Sequence, residues 1–97
     1  MESAKEEKFM NFINVGFGNL VPVSRIISIV SPDAAPIKRI VSEAKSKSIA
    51  IDATCGRKTK SVIIMDTDHV ILSALQMETL SNRIKNEEEN HEGVAIV

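Results

Sequence analysis

The sequence predicts an α+β domain: a small, mostly antiparallel sheet with two helices, in the order β-β-α-β-β-β-α. Three observations lead there. Short runs rich in Ile and Val recur along the chain, bounded by Gly, Pro, Asn and Asp. Only two stretches carry apolar residues at helical spacing. Strands often follow one another with no helix between them, which disfavours a doubly wound parallel fold. At 97 residues the chain fits one domain with a modest core, placed over residues 9–86. Residues 1–8 and 87–97 are charged or aperiodic and read as flexible ends.

Phe9 to Val15 reads as the first strand, and Gly16-Phe17-Gly18-Asn19 as a turn. Gly16-x-Gly18 is not a dinucleotide fingerprint, because the third Gly and a following helix are missing. Leu20 to Val30 is apolar and β-branched and reads as one strand, with Pro22 near its start and Arg25 interrupting it. Ser31-Pro32-Asp33-Ala34-Ala35-Pro36 is a helix-entry signature. Asp33 can cap the free N–H groups, and Pro36 falls in the first turn, where its missing N–H costs little. Ile37, Ile40, Val41 and Ala44 then form one apolar stripe, and the helix ends near Lys47-Ser48.

Ser48 to Asp52 and Ser61 to Met65 read as the two arms of a hairpin, with residues 53–60 at its tip. Asp66-Thr67-Asp68-His69 is a turn, and Val70 to Ala74 completes an antiparallel meander. Gln76 to Lys85 is a short helix carrying Met77, Leu80 and Ile84 inward. Five strands and two short helices leave much of one sheet face uncovered. That motivates assembly into a homo-oligomer.

Composition narrows the function. A hydrophobic content of 43% fits a folded chain, while 3% aromatics argues against an aromatic base-stacking platform. No run approaches the roughly 20 apolar residues that span a bilayer, and no secretory leader opens the chain. The single cysteine, Cys55, has no internal partner. These features point to the cytoplasm, with no membrane partner. The net charge of −1 averages unlike parts. Between Lys8 and Lys85, eleven Lys and Arg exceed six Asp and Glu by five, and both ends are acidic. A basic body is compatible with polyanion binding.

The chemistry concentrates in Ala53-Thr54-Cys55-Gly56-Arg57-Lys58-Thr59-Lys60. A Gly permits a sharp bend, and three cations on a short exposed segment make an anion-binding finger suited to nucleic-acid phosphate. Solvated hairpin tips are also rich in Lys and Arg, so the finger has an ordinary reading as well. Catalysis is not expected. Cys55 and His69 lie a strand's length apart, too far for a nucleophile–base pair. Asp66, Asp68 and His69 are too few for a metal site. No cofactor and no small-molecule substrate is implied.

Three stretches resemble the RemA family, the extracellular matrix regulatory protein A of bacilli and its relatives. They are Asn11 to Asn19, Arg25 to Arg39, and Ile51 to Lys60 continuing through Asp66 to Ala74. The resemblance implies a bacterial DNA-binding transcriptional regulator, nucleoid-associated, that activates biofilm matrix genes. It also implies a ring-shaped homo-oligomer holding double-stranded DNA along a basic surface. The family's DNA-binding positions fall on Arg25, Arg57 and Lys58, to which the finger adds Lys60. Its assembly proline falls on Pro36. Departures are Cys55 where the family has Tyr, and Lys58 and Lys60 where it has Arg. Pro22-Val23 also replaces a small or polar pair. Lys keeps the charge but loses the planar fork that grips phosphate at two points. The competing function is a structural or protein-interaction module whose basic hairpin docks an acidic partner.

Overall fold

The computed structural model describes the backbone of residues 11–96 and the side chains as far as residue 87. The fold is α+β, with two sheets and two helices. Strands β1 (Phe12–Asn14) and β2 (Leu20–Pro22) form an antiparallel hairpin. A four-stranded mixed sheet holds β3 (Ile26–Val30), β4 (Ala50–Ala53), β5 (Ser61–Met65) and β6 (Val70–Ser73), in the spatial order β3-β5-β6-β4. Helix α1 is Ala35–Ser46 and helix α2 is Met77–Ile96.

The single strand expected over Leu20 to Val30 is two strands in different sheets. A 3-10 turn at Val23–Arg25 divides them. Beyond Pro22, Val23 N–H still donates to Asn11 O at 2.9 Å, and the 3-10 turn then carries the chain into β3. Arg25 therefore ends a turn and does not interrupt a strand.

The hairpin expected between residues 48–52 and 61–65 does not form. β4 lies parallel to β6, at the sheet edge, and β5 pairs with β6 from the other side. The linker after β4 crosses over the end of β6, where Lys60 N–H donates to Ser73 O at 2.8 Å. The physical reason lies in the side chains. Val62, Ile63, Met65 and all of β6 are buried, so these two strands occupy the middle. β4 has Ile51 and Asp52 exposed between two Ala residues, which suits an edge.

Both faces of the sheet are covered, contrary to expectation. One face carries Val62, Leu72 and Val70 against Ile37, Val41 and Ala44 of α1. The other carries Ile63, Ile71 and Met65 against the β1–β2 hairpin and Leu80 of α2. An isoleucine row, Ile51–Ile71–Ile63–Ile29, crosses four strands on this second face. Arg83 of α2 donates to Asn14 O at 2.7 Å and ties the helix to β1. Apolar surface is left over at Phe12 and Leu20 on the hairpin, at Ile27 at a bulge in β3, and at Ile51, the edge-strand end of the isoleucine row.

Pro36 sits in the first turn of α1, as its missing N–H requires, but Asp33 does not cap the helix. Ala34 takes that position, and its carbonyl accepts from the N–H groups of Ile37 and Lys38. Asp33 N–H is turned back onto Ser31 Oγ. The helix closes with Ser48 at φ 61, and Ile49 N–H donates to Ala44 O. The described backbone of α2 continues to Ile96, past the Lys85 end read from periodicity. Glu-rich segments lack apolar spacing yet favour helix.

Candidate nucleic-acid interface

The linker after β4 places two left-handed residues after Thr54, Cys55 at φ 55 and Gly56 at φ 81. Arg57 N–H donates to Thr54 O at 3.0 Å, closing a type I′ turn. A second turn of this kind lies beside it, with Phe17 at φ 52, Gly18 at φ 80, and Asn19 N–H donating to Gly16 O at 3.0 Å. A Cβ on Gly16 would come 3.4 Å from Ala53 O, at a φ of 126 that L residues rarely adopt. Glycine at position 16 therefore lets the two turns lie against each other.

Side chains stiffen both turns from below. Thr54 donates to Asp52 Oδ1 through its hydroxyl, at 2.6 Å, and through its backbone N–H, at 2.9 Å. These bonds, with a smaller contribution from Lys45, hold the Asp52 carboxyl below its usual range, so it is a carboxylate at neutral pH. Asn14 Oδ1 accepts from Gly16 N–H, and Asn19 Nδ2 donates to Gly16 O. Ser61 and Ser73 are fully buried. Ser73 Oγ donates to Val15 O at 2.6 Å and accepts from Leu75 N–H, while Ser61 Oγ donates to Leu75 O. Each buried hydroxyl is satisfied, so the knot rigidifies the end of the sheet at little desolvation cost.

Arg57, Lys58 and Lys60 stand exposed on this frame. Among the described residues none of them has an acidic partner within ion-pairing distance. The Arg57 guanidinium lies over the Phe17 ring, 5.0 Å from its centroid. α1 begins at this same end, because β3 runs into it beside Val62. Lys38 and Lys45 of α1 line a cleft of about 160 Å³ with Thr59, Pro32 and Leu72. They extend the positive surface in a way that residues so distant in sequence did not reveal. Phe17 was likewise missed, because a low aromatic content says nothing about where the few aromatics are.

Arg25 is not here. It stands at the other end of β5, next to the turn after Met65, and Asp66 N–H donates to its carbonyl. Its Nη1 is 3.6 Å from Asp66 Oδ2, an exposed pair. The five residues of β5 separate it from Arg57 by about 14 Å of strand rise alone. His69 lies at that end too, bonded through Nδ1 to Thr67 Oγ1 at 2.7 Å, well away from Cys55. Among the described residues no three His, Cys, Asp or Glu side chains gather as metal ligands.

The match to known proteins spans this whole arrangement. Residues 12–84 match the family described as extracellular matrix regulatory protein A-like, from β1 into α2 and including Arg25, Lys38, Lys45, Arg57, Lys58 and Lys60. The chain belongs to the RemA-like family. Relatives named "Putative regulatory protein" are closely similar. One from Carboxydothermus hydrogenoformans is 63% identical over 84 residues, covering 84% of this chain and 97% of that protein. One from Halothermothrix orenii is 57% identical over 81 residues, covering 84% and 96%. One from Geobacillus kaustophilus is 60% identical over 75 residues, covering 77% and 86%. Family and names support a regulatory role. No described helix of this RemA-like chain is long and apolar enough to cross a membrane.

Cys55 is exposed and takes the first left-handed position of its turn. That position needs a tolerant backbone and no thiol. Cys55→Ser is expected to leave stability and polyanion binding within twofold of wild type, measured by melting and by fluorescence anisotropy. A large loss with Ser that Tyr restores would instead assign the side chain a packing role.

Proposed function

We propose that this RemA-like regulator binds double-stranded DNA through its backbone phosphates, and that it does so as a homo-oligomeric ring. The observation that carries the reading is the set Arg57, Lys58 and Lys60. All three are exposed, without acidic partners among the described residues, and mounted on a turn that buried hydroxyls make rigid. Three cations per protomer bind a duplex weakly. A ring repeats them, so later contacts form at high effective concentration. Phosphate contacts carry little sequence information, so selectivity falls to DNA shape and bending. The N-terminus of α1 adds its dipole to the same end.

Arg25 joins this surface only across copies or along the length of the duplex, since β5 keeps it apart from Arg57 within one protomer. Its exposed pairing with Asp66 is worth about 0–1 kcal/mol, so a phosphate can displace the carboxylate cheaply. Assembly draws on the edges β3 and β4 and on the exposed Phe12, Leu20, Ile27 and Ile51. Pro36, rigid in the exposed first turn of α1, contributes to that assembly. Activation of biofilm matrix genes from a nucleoid-associated, cytoplasmic location is the cellular role this reading supports.

Native mass measurement with and without a duplex of some 40 base pairs tests both halves. The expected result is a closed multiple of the 10.6 kDa chain that gains the mass of DNA. A monomer at micromolar concentration contradicts the ring. An oligomer that binds an acidic protein but no duplex contradicts the DNA partner.

A further inference from the structure

We propose that Phe17 is a positioning residue that holds the Arg57 guanidinium ready for a DNA phosphate. The inference rests on the DNA-binding reading of this surface and assigns Phe17 a role in it.

Folding alone does not account for a phenylalanine at this place. Phe17 lies between Gly16 and Gly18 at φ 52, in the left-handed region that bulky side chains enter only with strain. It is also 52% exposed, so its ring gains little from burial. A glycine would remove the strain and lose little packing. Strain together with exposure in a hydrogen-bonded turn marks a side chain kept for what it contacts.

What it contacts is Arg57, 5.0 Å above the ring centroid. The ring engages the charge of the guanidinium and uses none of its N–H donors, and those donors are what grip two phosphate oxygens at once. An unsupported arginine loses much rotamer freedom on binding. One already ordered on a ring loses less, and the difference appears as affinity. The ring and the cation ride on one frame, because Ser73 Oγ ties Val15 to β6 and Gly16 rests against Ala53. Phe17 thus acts through Arg57, the residue that meets the phosphate. Lys58 and Lys60 have no such support among the described contacts, which sets Arg57 apart from them.

The test is duplex binding over a salt series for Phe17→Gly, Phe17→Tyr, Arg57→Ala and the double variant Phe17→Gly/Arg57→Ala, with melting of each. Phe17→Gly is expected to melt at or above the wild-type temperature, because the turn is relieved. Its affinity should nevertheless fall by about 2- to 5-fold, the range of an exposed cation–π contact. Its salt slope should stay unchanged, since no charge is lost. Phe17→Tyr should bind as wild type. In the Arg57→Ala background, Phe17→Gly should cost nothing further. Wild-type affinity in Phe17→Gly overturns the inference while the DNA reading stands. So does an equal loss with or without Arg57, or a drop in melting temperature that accompanies the loss. Wild-type protein that binds no duplex overturns the DNA reading and this inference with it.

Discussion

Arg57→Glu is expected to abolish measurable duplex binding near physiological salt while leaving fold and oligomer intact. Arg57 is exposed and has no acidic partner to lose among the described residues, so reversal breaks no ion pair. The only described contact given up is the stack on Phe17, worth about 0.5–1 kcal/mol at an exposed site. The electrostatic effect is far larger. Each subunit moves two charges toward repulsion, and every engaged subunit repeats the loss. The log-affinity against log-salt slope should flatten by about 0.9 for each phosphate contact removed. Losses should be similar on unrelated sequences, since phosphates are alike. Anisotropy titration with parallel sedimentation checks this. Unchanged affinity removes Arg57 from the interface, and a broken oligomer moves it to a subunit contact.

The second large effect concerns the core. Ile71→Ala should destabilise the fold by about 2–5 kcal/mol, as truncation of a buried isoleucine does. For a domain of this size that lowers Tm by at least roughly 8 °C. Ile71 is 4% exposed and lies between Ile51 and Ile63 in the row that crosses the sheet. Ile51→Ala, in the same row on the edge strand at 44% exposure, should cost under about 1.5 kcal/mol in the monomer. The contrast probes the strand order itself, because β6 is central only if β4 pairs with it. Equal and small effects at both positions would contradict that order.

Much of this architecture was readable in the residues. The Ile/Val runs announced β3, β5 and β6, and the stripe Ile37, Ile40, Val41 and Ala44 announced α1. Gly16 to Asn19 announced a turn. Pairing was not readable, because strand partners are chosen by tertiary burial and not by neighbours in sequence. Eight residues between Asp52 and Ser61 are more than a tight hairpin needs, and that excess was the available sign of a crossover. The continuous apolar runs of β5 and β6, against the Ala-rich β4, were a second sign. Pro22 similarly marked the break that moved Arg25 out of a strand. The basic turn was legible from its Gly and three cations between two strand-like runs, and from the family resemblance. Its rigidity was not, because Ser61, Ser73 and Val15 meet only through the fold. The Phe17–Arg57 contact was hidden for the same reason, the two residues being far apart in sequence.

The most direct measurement is the affinity of the wild-type protein for one duplex across a salt series. Binding through repeated phosphate contacts requires log affinity to fall linearly with log salt, with a slope of about −0.9 per phosphate engaged. Contacts repeated around a ring should give a slope of several units, nearly equal for two unrelated sequences. A slope near zero, or no binding even at low salt, would contradict the account.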